Sequence, residues 1–237
     1  MAHAKRDARI AGWLYFLFCA PCPLCLIYTP SKIMGGDAAA TAANVLAHEA
    51  LLRTSVVLWI LGGALWIVLA VVLYRLFDGV GKALSLLLVV FVTVSVGICF
   101  LNELNNLAAI LVLRGNEFAA VLTDRQRQAL ALLFLQLHAQ GTAINEMLWG
   151  LWLLPFGLLI ARSRFIPRFL GIWLLLDGVA WMVLSMVALL APSYNDLAFK
   201  VALPAIFAEL AVMLWLIIVG VRAPAINQDA LPVAAHE

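Results

Sequence analysis

Residues 54–77 read TSVVLWILGGALWIVLAVVLYRLF and carry one charge, Arg75, near the end of the run. The hydrocarbon core of a bilayer is about 30 Å thick and is crossed by about 20 mostly apolar residues in helical form. This run is long enough. It is also apolar on every face, where a surface helix of a soluble domain needs only one apolar stripe. Blocks of the same character recur at about 10–28, 83–113, 143–161, 167–191 and 198–221. Their combined effect is a chain of 237 residues with 65% hydrophobic and 12% charged residues, against roughly 45–50% and about 25% in globular domains. In lipid each backbone polar group must be satisfied within its own segment or a closed barrel. Alternating segments of about ten residues, the mark of a barrel, are absent, so the blocks predict helices.

The opening block has the basic start of a signal peptide (Lys5, Arg6, Arg9) followed by small residues (Ala38, Ala39, Ala40). Because several spans follow, the expectation is a retained first helix. Two connections are long. In the first, Asp37 is placed to cap an alanine-rich helix; in the second, Thr123 or Asp124 caps a segment polar at its start and apolar along its body. Both are expected to lie at, or rise from, the same membrane surface. The fold class is therefore an all-α polytopic membrane bundle of about six transmembrane helices with two outer-surface amphipathic helices. It forms a single domain over 1–222, followed by a disordered cytoplasmic tail over 223–237.

Lysine and arginine crowd the short loops on one side (Lys5, Arg6, Arg9, Arg75, Lys82, Arg162, Arg164, Arg168, Arg222). They are sparser on the long loops of the other (Lys32, Arg53, Arg114, Arg125, Arg127, Lys200). The positive-inside rule then puts both termini in the cytoplasm. The formal net charge of +2 comes with no basic cluster suited to a phosphate backbone, so nucleic acid is not an expected partner.

The segments ARIAGWLYFL (8–17), GGDAAATAANVLAHEALLR (35–53), ALALLFLQLHAQG (129–141), SRFIPRFLGIWLLL (163–176) and PAIFAELAVMLWLIIVG (204–220) resemble a bacterial multi-pass membrane family. That family is described only as a domain of unknown function, family 4386. The resemblance runs from about Ala8 to Val221. It implies a helical bundle in a bacterial inner membrane and supplies no activity. Family members often carry a second histidine where this chain has Trp152, and the segment CAPCPLC (19–25) departs from the family pattern. Both departures count against a paired-histidine metal site.

Ionisable groups inside a span cost about 2.5–3.5 kcal/mol each at the centre and are hypotheses of function by default. Glu103, Glu146, Asp177 and Glu209 are such groups, and none has a lysine or arginine within its own span. At 1.5 Å per residue, Asp177 and Glu209 fall near the midplane, with Glu146 and Glu103 nearer the outer surface. All four are expected to line one cavity open to the outside. Ser95, Cys99, Asn102 and Asn106 share a helical face, as do His138, Thr142 and Asn145. Trp173, Asp177, Trp181 and Ser185 follow one another at one-turn spacing. An acid between tryptophans suits a cation, which aromatic faces also attract, or the protonation of an apolar substrate. The plainer alternative is that these polar groups hold helices together, that the tryptophans pack, and that His138 is satisfied at a helix end.

Cys19, Cys22 and Cys25 follow a C-x-x-C-x-x-C spacing, yet Pro21 and Pro23 distort their helix and no base stands near to activate a thiol. They read as small apolar filler. No motif calls for a metal or cofactor. Three functions stay open. The first is binding or proton-coupled transport of a small lipophilic molecule, either cationic or neutral. The second is an intramembrane enzyme using a buried acid on a lipid or isoprenoid. The third is a structural or accessory role. The candidate ligand or proton-exchange residues are Asp177, Glu209, Glu146, Glu103, Asn102, Asn145, Trp173, Trp181 and His138. The expected partners are the lipid bilayer and a lipophilic small molecule.

Overall fold

A computed structural model of the chain describes residues 2–115 and 119–221. The expected tail, 223–237, and Arg222 lie outside the described residues. Among the described residues there is no strand, and the elements run in one antiparallel bundle. Helix α1 (Ala2–Cys19) continues through a π-helical turn, Leu24–Tyr28, into α2 (Thr29–Ile33); α3 is Ala38–Ala47 and α4 is Glu49–Arg114. A 3-10 turn, Ala119–Val121, precedes α5 (Asp124–Ser163), which is followed by α6 (Arg168–Leu190), a second 3-10 turn (Pro192–Tyr194) and α7 (Asn195–Ile218).

The break after Cys19 follows from Pro21 and Pro23. Each removes a backbone donor and crowds the preceding turn, and the chain resumes as a wider π turn. Helix α4, at 66 residues, would be about 100 Å long if straight, far beyond a bilayer. Its backbone leaves helical geometry at Gly81 (φ −173°, ψ 89°), so its two arms fold back as a hairpin. Five helical segments are long and apolar enough to cross a membrane; with α4 doubled at Gly81, this makes six segments able to cross. The ends agree with this path. Glu49, at the start of α4, pairs with Arg53 at 2.8 Å and with Arg114, the last residue of α4, at 2.6 Å. Gly220, just past α7, lies against Lys5 and Ala8 of α1, so the first and last spans end together.

Both expected caps form. Asp37 accepts from the Ala40 N–H at 2.7 Å, and Thr123 with Gln126 makes a capping box. The two arms nevertheless differ. α3 is a separate helix, broken from α4 at His48. The segment from Asp124 has no breaker before the span and runs on as one 40-residue helix, about 60 Å long, so it rises from the surface as part of α5.

Helices α5 and α6 meet on glycine. Gly150 faces Gly178 and Gly157 faces Gly171, so that a Cβ on Gly157 would stand 2.7 Å from the Gly171 carbonyl and one on Gly171 2.6 Å from the Gly157 carbonyl. Small residues let backbones approach where apolar burial gives no preference for protein over lipid. The outer surface is apolar: Leu61, Val68, Leu86, Leu101, Leu104, Phe169 and Leu176 are all exposed. Glu103, Asn145, Asp177, Ser95 and Ser185 are buried. This distribution, reversed from that of a soluble domain, is the one lipid requires.

Candidate ligand cavity

Two polar stripes read from the sequence meet between the second arm of α4 and α5. The Ser95 hydroxyl donates to Asn145 Oδ1 at 2.9 Å. The Asn102 amide donates to the His138 carbonyl at 2.9 Å and to Thr142 Oγ1 at 3.3 Å. Asn106 Nδ2 donates to Glu103 Oε2 at 2.8 Å, and the other Glu103 oxygen lies 3.1 Å from His138 Nε2. Gly141 makes the close approach of Asn102 available, because a Cβ there would overlap the amide. These contacts cross-link two helices and satisfy groups that would be costly in lipid.

Beside this ladder lies a cavity of about 640 Å³, within the roughly 300–1,000 Å³ typical of small-molecule sites. Its carboxylates are Glu209 from α7 and Glu146 from α5; His138 also reaches it, and no lysine or arginine is among its described lining residues. Trp59, Trp66, Trp149, Trp152 and Trp181, with Phe18, make its aromatic walls. The rings brace one another. Phe18 stacks on Trp66 at 4.9 Å, Trp66 meets Trp152 edge-on at 5.4 Å, and Trp149 meets Trp181 edge-on at 5.2 Å. Such pairs are worth about 0.5–1.5 kcal/mol beyond their buried area, so each ring is positioned by its neighbours.

Glu209 has one hydrogen-bond donor and one indole beside it. The Tyr15 hydroxyl, fully buried on α1, donates to Glu209 Oε2, and Trp181 lies within electrostatic reach of the same carboxylate. Asp177 is fully buried on α6, and the titratable group it faces is Glu209. It is not part of the lining, and neither of its oxygens meets a hydrogen-bond donor in good geometry among the described residues. Of the four acids expected to share one cavity, then, Glu209 and Glu146 line it, Asp177 stands behind Glu209, and Glu103 is tied into the helix–helix ladder. The two tryptophans expected to flank Asp177 also part. Trp181 enters the cavity wall, whereas Trp173 donates its indole N–H to the Pro204 carbonyl of α7 at 3.0 Å.

A family model described as "Domain of unknown function (DUF4386)" matches residues 10–220. The chain belongs to the DUF4386 family. No curated protein and no solved structure matches it. In this DUF4386 chain, Trp152 is buried against Tyr15, Trp66 and Phe156. Among the described residues no group of three or more histidine, cysteine, aspartate and glutamate side chains is placed to hold a metal.

Several contributors were not singled out from the sequence. Tyr15 is one: a phenol inside an apolar span needs a partner for its hydroxyl, and that need was legible. Trp59 and Trp66, seven apart, and Trp149 and Trp152, three apart, each share a helical face. All four cysteines reach the cavity, Cys19, Cys22 and Cys25 along the distorted first span and Cys99 from the second arm of α4. Cys25 Sγ bonds the Ser55 carbonyl at 3.8 Å and Cys22 Sγ the Phe18 carbonyl at 3.7 Å.

Proposed function

We propose that this DUF4386 protein binds a small lipophilic cation in the tryptophan-walled cavity and exchanges it against protons. The observation that carries the reading is the composition of the lining: two carboxylates, five indoles and, among the described lining residues, no lysine or arginine. A charge left unpaired in lipid surroundings is expensive, so each carboxylate needs either a proton or a cation. A cation held over the indole faces gains further attraction from their π-systems, about 2 kcal/mol or more when desolvated. Exchange of proton for ligand at Glu209 or Glu146 then couples binding to pH. Proton-coupled transport is the extension of this reading, in a bacterial inner membrane with both termini cytoplasmic. The basic loops and the family resemblance support that setting.

The test uses the purified full-length chain in lipid nanodiscs. Tetraphenylphosphonium is expected to quench tryptophan fluorescence saturably, more tightly at pH 8 than at pH 5, and to release protons into weak buffer. An uncharged aromatic of the same size is expected to bind at least tenfold more weakly. Equal binding of the two, or no pH dependence, sinks the proposal.

A second reading has an observation of its own. Tyr15, Glu209 and Asp177 form a buried acid cluster beside aromatic walls, an arrangement able to protonate an apolar isoprenoid and shelter the cation formed. Recovery of an isoprenoid chemically altered after incubation with the chain would favour the enzyme over the binding protein.

A further inference from the structure

One wall of the cavity is unlike the others. Leu26, Ile27, Pro30, Phe199, Phe207 and Leu210 line it, and Ile27 and Phe207 are also 68% and 50% exposed on the outside of the bundle. The cause is the course of the first span. α1 packs on α7 as far as the proline break, with Gly12 against Leu216 and Ile217. Beyond the break the chain swings away, and residues 24–33 pack on α3 and α4. α7 continues past Phe207 toward its start at Asn195 without that neighbour. The gap lies in the half of the bundle distal to both termini; the side chains that line the cavity there are apolar as far in as Glu209, and the polar Tyr28 and Lys200 on the same segments are exposed and outside the lining.

Building on the cation-binding reading above, we infer that the gap between residues 24–30 and 199–210 is a lateral portal to the lipid, and that the ligand is a single-chain lipophilic amine whose ammonium group sits at Glu209 while its hydrocarbon chain runs out between Ile27 and Phe207 into the bilayer. A carboxylate at the inner end and hydrocarbon at the mouth match the two ends of such a molecule. A hydrophilic cation would have to shed its water against the leucine, isoleucine and phenylalanine side chains that line this passage, which favours a cation carrying its own hydrocarbon.

The test is photolabelling of the full-length chain in phosphatidylcholine nanodiscs with a dodecyltrimethylammonium probe bearing a diazirine at the far end of its chain. Its expected result is labelling confined to residues 26–30 and 199–210, competed by tetraphenylphosphonium and reduced at least tenfold by Glu209→Gln, with the variant's melting curve unchanged. Label deep in the cavity, on Trp66, Val96 or Trp152, overturns the portal while leaving cation binding intact. Labelling that tetraphenylphosphonium does not compete, in a chain that tetraphenylphosphonium does not quench, overturns the binding reading itself.

Discussion

Glu209 and Asp177 face one another across α6 and α7, yet only Glu209 borders the cavity. The amide substitutions Glu209→Gln and Asp177→Asn keep shape and remove the exchangeable charge. Glu209→Gln is expected to weaken tetraphenylphosphonium binding at least tenfold, about 1.4 kcal/mol. Asp177→Asn, one layer behind, is expected to change it by less. Fluorescence titration of the two variants side by side decides the order, and an equal loss would make Asp177 a direct ligand group. The thiols make a contrasting case. They line the cavity, but no lysine or arginine is among its described lining residues, and the bonds that Cys22 and Cys25 make are to backbone carbonyls. Joint replacement of Cys19, Cys22 and Cys25 by serine is expected to leave expression and cation binding within about twofold of the parent chain. A complete loss of binding that no single reversion restores would bring back a redox role.

At the scale of elements, the contact between α5 and α6 depends on what their glycines lack. A side chain on Gly150 would collide with the Gly178 carbonyl, which is backbone and cannot move aside alone. Gly150→Leu is therefore expected to push the helices apart at a cost of about 1–3 kcal/mol or more. In a chain of this length that lowers the melting temperature in detergent by roughly 2–4 °C per kcal/mol. Gly97→Leu serves as the control, because that glycine faces open space and a leucine there gains helix propensity. Comparable melting of the two variants would refute the close-packing account. The seven-residue spacing of Gly150 with Gly157 and of Gly171 with Gly178 stands in the sequence, but a repeat on one helix acquires meaning only when its counterpart is known to face it.

For the whole molecule, orientation is set by the side of the membrane that holds the shared end of the first and last spans. The basic residues near that end, Lys5, Arg6, Arg9 and Arg75, and the six crossings predict both termini in the cytoplasm. Reporter fusions after Ser193 and at the tail are expected to report opposite sides, with the tail inside. A periplasmic tail would overturn the six-span path. At the loop end opposite the termini, Arg53 and then Arg114 hold the Glu49 carboxyl below the ordinary carboxylate range. That link joins the start of the second span to the end of the third, as their antiparallel pairing requires.

How much of this was written in the chain depends on the range of the interaction concerned. Spans follow from local composition, because lipid demands about 20 apolar residues in a row wherever a helix crosses. Caps follow from Asp37 and Thr123, whose partners lie three residues away. The stripes Ser95–Asn106 and His138–Asn145 follow from helical periodicity. Which stripe meets which is a matter of helix neighbours that no local pattern encodes, and so is the parting of Asp177 from the cavity that its neighbour Trp181 enters. Tyr15 and Glu209 lie 194 positions apart in the chain. Their hydrogen bond exists because the first and last spans end together and pack side by side up to the proline break. The opening toward lipid exists because, past Pro21 and Pro23, they no longer do. Short-range chemistry made the helices and placed the acids at depth. Only the packing of one helix on another turned the aromatic rings and Glu209 toward a common space.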